Sequence, residues 1–256
     1  MEHWSFDSGA RLWRIWFNEP FLVAEVRDPR EGQARIVALE LDTGRVRWSW
    51  HNPEEPWWIG LEAVDQGLAL VHGFADPRLP EHRGLIALDL ATGQERWRSV
   101  EDSFLFWHPE GLCVYRRQGY TLRYALLDPW AGTLRRALGS DRTIVEALRR
   151  QIDPEAPYRE TRFPQPASRA PVALSAEADH LEALSSDPWW IGAAFRTGEG
   201  TWLEVWHLHK GRRYWEDRIS GEGARPEPEP FFLRRNRLYY ARNRRELISL
   251  RLDVAP

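Results

Sequence analysis

Ala38-Leu39-Glu40-Leu41-Asp42-Thr43-Gly44-Arg45-Val46-Arg47-Trp48 aligns without a gap on Ala87-Leu88-Asp89-Leu90-Ala91-Thr92-Gly93-Gln94-Glu95-Arg96-Trp97. Both follow Ala-x-acid-x-x-Thr-Gly-x-x-x-Trp. The residues leading in, Arg35-Ile36-Val37-Ala38-Leu39, alternate with the period of a strand. The Thr-Gly pair supplies a side-chain cap and a residue tolerant of positive φ. The tryptophan then starts an outgoing strand and can cover a neighbouring hairpin. The motif therefore reads as strand, tight turn, strand. Two weaker copies follow. Leu126-Leu127-Asp128-Pro129-Trp130-Ala131-Gly132 has Arg136 in the tryptophan slot, and Val205-Trp206-His207-Leu208-His209-Lys210-Gly211 has Trp215 four residues after its glycine.

Outward from the motif, each copy is preceded by a second apolar strand, at residues 21–26, 68–71, 112–115 and 190–195. The C-terminal part adds Arg237-Leu238-Tyr239-Tyr240 and Leu247-Ile248-Ser249-Leu250, a fifth pair of strands that no glycine turn follows. At the other end Glu2-His3-Trp4-Ser5-Phe6 is similar to Val46-Arg47-Trp48-Ser49-Trp50. Each leads through a polar loop into an aromatic strand, residues 12–17 and 57–61. The first strand is therefore read as the outer strand of the last repeat, which leaves no sheet edge open.

The motif resembles the tryptophan-docking repeat of quinoprotein-like β-propellers. In that family the aspartate, glycine and tryptophan tie one blade to the next. By this resemblance Gly44, Trp48, Asp89, Gly93, Trp97, Asp128, Gly132, Gly211 and Trp215 are structural. The whole-chain pattern also resembles a bacterial family of similar length and unknown function, which implies no activity. The expected fold is all-β: one domain over residues 1–256, a five-bladed β-propeller closed by the N-terminal strand. The motif glycines stand 49, 39 and 79 residues apart, and the last gap leaves six blades as the alternative. An insertion at 140–171 is the preferred reading. Ser140 to Ile152 carries an N-cap, apolar Ile144, Leu148 and Ile152, and a Glu146/Arg150 pair, all at helical spacing. Prolines 154, 157, 164, 166 and 171 then make an extended connector. A second irregular loop, 221–230, alternates Pro and Glu.

The 256 residues are 43% apolar and 29% charged, with net charge −3, which excludes a disordered chain and requires no polyanionic partner. One cysteine, Cys113, excludes an internal disulfide. The start, Met1-Glu2-His3-Trp4-Ser5-Phe6-Asp7, is not a signal peptide, and no run is apolar for long enough to span a bilayer. A cytoplasmic protein with no membrane partner is expected. Of 35 basic residues only Lys210 is lysine, and there are fifteen tryptophans, so a core or a groove is unusually aromatic.

Pro-Trp-Trp-Ile-Gly occurs twice. Trp57 and Trp58, expected on an innermost strand, and Trp189 and Trp190, expected on the next strand out, are candidate binding platforms or core packing. Residues 232–251 hold seven arginines, Arg242 among them, interleaved with Tyr239 and Tyr240. That composition suits nucleic acid, or the charged face of edge strands. With the net charge negative, nucleic acid is not the expected partner. His207 and His209 share a strand face and could begin a metal site, but no third ligand is identifiable near them and no metal is expected. Cys113, among hydrophobes, reads as inert core. There is no Gly-x-Ser-x-Gly, Walker or Rossmann pattern. A channel enzyme of the glycosidase kind needs two carboxylates on the innermost strands. Glu62 and Asp102 are the acids nearest to them, both at positions open to a loop assignment.

No catalytic residue set emerges, and no cofactor is expected. The resemblance to quinoproteins reaches the blade motif alone, without a calcium-ligand cluster, so no quinone is expected. The functional expectation is a non-catalytic scaffold for an unidentified protein partner. The alternatives are a channel-sited enzyme acting on sugars or lactones, and a binder of small ligands or nucleic acid.

Overall fold

The structure, a computed structural model, describes residues 3–76, 78–153, 160–167, 178–221, 225 and 229–252. Much of the expected Pro-rich connector and of the 221–230 loop lies outside the described residues. The described regular structure is antiparallel sheet apart from one helix and one 3-10 turn, and the expected all-β class is observed. The chain falls into two compact units, Trp13–Pro154 and Met1–Leu12 with Glu155–Pro256.

After β1 (His3–Asp7), the chain lays down three four-stranded meanders in sequence order. The first is β2 (Arg11–Asn18), β3 (Phe21–Asp28), β4 (Gln33–Glu40) and β5 (Val46–Trp50). The second is β6 (Ile59–Asp65), β7 (Leu68–Phe74), β8 (His82–Asp89) and β9 (Glu95–Ser99). The third is β10 (Asp102–His108), β11 (Gly111–Gln118), β12 (Thr121–Leu127) and β13 (Leu134–Gly139). Glu62 and Asp102 thus lie in strands, not loops. Both faces of the second sheet are covered. Ile59, Leu61, Val71 and Ile86 pack with Val23, Ile36 and Ala38 of the first sheet. Leu70, Leu85 and Ala87 pack with Leu112, Val114 and Leu127 of the third. Two-sided burial explains why β3, β7 and β11 are continuous apolar runs, whereas an outer strand such as β5 buries Trp48 and leaves Val46 exposed.

The turns of the repeat join these sheets. The Trp48 indole N–H donates to the Leu90 carbonyl at 2.7 Å, and its ring lies on Gly93, where a Cβ would come within 2.7 Å of Cδ2. Likewise Trp97 donates to the Pro129 carbonyl at 2.7 Å and lies on Gly132. Gly93 and Gly132 have φ of 73° and 67°, which a side chain would strain. Asp89 accepts from the N–H groups of Ala91 and Thr92 and pairs with Arg96, and Asp128 does the same with Trp130, Ala131 and Arg135. Burial would raise the Asp89 carboxyl, but Arg96 and Thr92 hold it below the usual carboxylate range. Arg136, in the tryptophan slot, pairs instead with Glu110.

The helix, α1 (Arg142–Arg149), is capped by Asp141, whose carboxylate accepts from Thr143 N–H. Its buried residues are Val145 and Leu148, while Ile144 is exposed and Ile152 packs only partly. The ion pair is Arg142–Glu146.

In the other unit, β14 (Thr161–Arg162) is followed by a meander of β15 (Gln165–Pro166), β16 (His180–Ser186), β17 (Trp189–Arg196), β18 (Gly200–His207) and β19 (Arg212–Ser220). The 3-10 turn Leu208–Lys210 links β18 to β19, with Gly211 at φ 57° closing it. The last sheet has β20 (Phe231–Arg234), β21 (Arg237–Arg242) and β22 (Glu246–Arg251), with β14 on one edge and β1 on the other. β1 pairs in register from His3 with Leu250 to Asp7 with Glu246, and Trp4 meets Tyr239 edge-on.

Candidate functional site

Sequence-selected residues take very different places. Trp189 and Trp190, on β17, are both buried, and the Trp190 ring fills the space a side chain at Gly192 would need. Tyr239 and Tyr240 are also buried. Tyr240 donates to Asp217 at 2.6 Å and accepts from the Trp215 indole at 3.0 Å; burial and the adjacent Asp217 carboxylate push its phenol well above the usual range. Arg242 is held between Asp217 and Glu246. The two rings are thus covered and offer no open face to a base, while the half-buried guanidinium is already engaged by two carboxylates. His207 caps the 3-10 turn, accepting from Lys210 N–H, and His209 pairs with Asp187, so the two imidazoles serve separate contacts. The Cys113 thiol is buried, which pushes it up to about 11.

Trp57 and Trp58 precede β6 instead of lying in it, and neither is buried. Trp58 is 38% exposed, and Trp13, on β2, is 51% exposed. The Arg27 guanidinium carbon lies 5.7 Å from the Trp13 ring centroid and 5.3 Å from that of Trp57. Arg27 is fixed in turn by Glu25 and by the carbonyls of Trp57 and Ile59. An exposed aromatic edge is thus anchored by a guanidinium that is itself held by three hydrogen bonds.

The second sheet carries a cluster that the sequence reading did not select. Glu62 on β6, His72 on β7 and His82 at the start of β8 bring one ligand atom each to within 4.8 Å of one another. His72 Nδ1 lies 2.7 Å, and His82 Nδ1 2.8 Å, from the same Glu62 Oε2. The two imidazoles are stacked, with centroids 3.5 Å apart and planes 8° from parallel. Their surroundings are aromatic: Phe74 meets both rings edge-on, and Trp58 meets Phe74.

Register builds this cluster. His82 and Leu85 are three residues apart and would point to opposite faces of a regular strand. The ladder pairs His72 with Leu85 and Gly73 with Arg83, leaving Gly84, at φ 86°, as an extra residue, so His82 falls opposite Phe74 on the His72 face. On β6 a second irregularity leaves Glu62 between the Leu61–Val71 and Ala63–Leu70 pairs. Gly60, opposite His72, leaves the room its ring occupies; a Cβ there would come within 2.7 Å of Cε1.

Burial holds His72 below the usual imidazole range, against the pull of Glu62, with the His82 and Arg14 charges acting in the same direction as burial. Burial would raise Glu62, but its two imidazole neighbours bring it down to about 2. His82 and Glu62 are in hydrogen-bond geometry. His72 Nδ1, although close, lies outside it, and this buried nitrogen has no hydrogen-bond partner among the described residues. Such an orphan costs about 1–3 kcal/mol. Nothing in the sequence marks the cluster as a motif, but the spacing 62, 72, 82 places one residue on each of three consecutive strands of a meander.

Residues 18–97 match a family described as a domain of unknown function (DUF4905), a segment that contains all three cluster residues. No curated protein matches the chain. Among solved structures, BamB from Moraxella catarrhalis is similar at 10% identity over 97% of this chain and 87% of its own, with a TM-score of 0.38. A europium-containing methanol dehydrogenase is similar at 12% identity over 94% of this chain and 51% of its own, with a TM-score of 0.36. The β-propeller domain of the Trilobed protease from Pyrococcus furiosus is similar at 11% identity over 96% of this chain and 70% of its own, with a TM-score of 0.35. Such low scores bear on neither ligand nor activity. This chain spans about half the length of the dehydrogenase.

Proposed function

We propose that the chain is a protein-binding module that engages its partner through the tryptophan–arginine edge of Trp13, Arg27, Trp57 and Trp58. The observation that supports this is the half-exposed Trp13 ring packed against the fixed Arg27 guanidinium. Most other indoles of the repeat are spent on docking turns or filling sheets, as Trp48 and Trp189 are. A large ring left in solvent yet held still loses little conformational freedom on binding, and tryptophan and arginine are the residues most enriched at interface hot spots.

The test uses the full chain and the double variant Trp13→Ala/Trp58→Ala as parallel baits in extract of the native cell, with quantitative mass spectrometry. A specific protein should be enriched on the wild type over the variant. The purified pair should then bind with an affinity that the double variant lowers by about thirtyfold or more, corresponding to about 2 kcal/mol for a hot-spot residue. A partner captured equally by both baits, or none enriched on the wild type, overturns the reading.

A further inference from the structure

We propose that Glu62, His72 and His82 form a binding site for a divalent transition-metal ion, with zinc as the fitting occupant and one coordination position left to water or an incoming oxygen ligand. Two observations carry this independently of the protein-binding reading. The first is convergence. Two imidazole nitrogens from β7 and β8 and a carboxylate oxygen from β6 lie within 4.8 Å of one another, with both nitrogens within 2.8 Å of the same oxygen. Two imidazoles and a carboxylate are a donor set suited to first-row divalent ions. The second is the orphan nitrogen. The His72 side chain is 3% exposed, and its Nδ1 points into the cluster without a hydrogen bond. A polar cluster built to satisfy itself would satisfy that nitrogen. A cation on the shared side satisfies all three donors together.

The site must rearrange to take an ion: with the two rings stacked 3.5 Å apart and 8° from parallel, no nearby point lies in both ring planes, so the His82 ring must turn as well as draw back from Glu62. Zinc–nitrogen and zinc–oxygen bonds of about 2.0–2.2 Å set donors about 3.3 Å apart in a tetrahedron, so the 2.7 and 2.8 Å separations must open by roughly half an ångström. His82 is the ligand able to move, since its side chain is 30% exposed and that of Glu62 is 16% exposed. The same side gives the ion its way in. Three protein donors, with no fourth His, Cys, Asp or Glu joining them among the described residues, make an open site and not a closed structural one. Nearby charges temper the affinity. Arg14, bound to the Leu61 carbonyl, adds positive charge, while the buried Glu25 is neutralised by Arg27.

Tag-free full-length protein, stripped with a chelator, is titrated with zinc by calorimetry and with cobalt(II) by visible absorption. One equivalent should bind, and cobalt should give the intense bands of a low-symmetry nitrogen–oxygen site. Glu62→Gln and His82→Ala should each weaken zinc binding by more than about tenfold, since loss of even an outer-shell partner costs about 10–100-fold. His209→Ala, at an exposed histidine already paired with Asp187, should leave it unchanged. Equal affinity in wild type and both ligand variants, or no one-equivalent binding, overturns the proposal. Zinc-soaked crystals supply a measurement that needs no variant. An anomalous peak within about 2.3 Å of both Nδ1 atoms and Glu62 Oε2 supports the site, and a peak confined to other residues overturns it.

Discussion

An indole resting on a glycine is the smallest unit by which this chain holds its sheets together. At Trp97 the unit has two parts, the N–H bond to the Pro129 carbonyl and the face of the ring on Gly132. They can be separated. Trp97→Phe keeps an aromatic face and loses one hydrogen bond, at about 1 kcal/mol. Gly132→Ala drives a methyl group into the ring at a positive φ, and should cost about 2 kcal/mol or more. Urea unfolding of both variants checks the order, and a costlier Trp97→Phe would show that the bond, not the close approach, is the latch. This unit was legible in the sequence because it repeats, with glycine and tryptophan four residues apart in both strong copies. Other residues were legible by type but not by place. Tyr239, Tyr240 and Arg242 have the chemistry of a nucleic-acid surface, yet both rings are buried and the guanidinium is taken up by Asp217 and Glu246. Composition alone does not reveal which face of a strand the fold will cover.

The meander of β6 to β8 shows the same limit at the scale of elements. Strand positions follow from apolar runs and turns, and those were read correctly to within a few residues. Side-chain direction depends on single extra residues, here Gly84 on β8 and Glu62 on β6, and an irregularity of one residue reverses the face of everything beyond it. The three cluster residues were therefore invisible as a group, although their spacing of ten follows the length of a hairpin arm and its turn. Gly60 gives a test that touches none of the three. Gly60→Ala, at ordinary backbone angles, places a methyl group where the His72 ring sits. It should destabilise the fold by about 1–3 kcal/mol through overpacking and weaken zinc binding at least tenfold. Calorimetry of the folded variant reads both, and unchanged zinc affinity would mean that His72 does not have to lie over position 60.

Among whole-molecule features, the pairing of residues 3–7 with 246–250 was foreseen from the similarity of Glu2–Phe6 to Val46–Trp50. β1 covers the edge of β22 and seats Trp4 against Tyr239, and the Asp7–Arg245 ion pair closes its far end. A chain lacking residues 1–8 exposes an apolar strand edge and an indole-sized gap. It should aggregate at concentrations where the full chain is monodisperse, and a synthetic peptide of residues 1–9 should restore solubility by adding as a strand. Light scattering with and without the peptide decides this, and a soluble, unchanged truncation would show β1 to be dispensable.

This pairing also sets an order of events at the ribosome. β1 is made before its partner, which follows about 240 residues later, a delay of roughly 10–50 s at ordinary elongation rates. For that interval the nascent chain carries a tryptophan-bearing strand with no edge to join, while the three meanders that follow it can fold on their own local contacts. Chaperone demand during synthesis should therefore centre on β1, and a rearranged chain that makes β1 directly after β22 should need less help than the natural order.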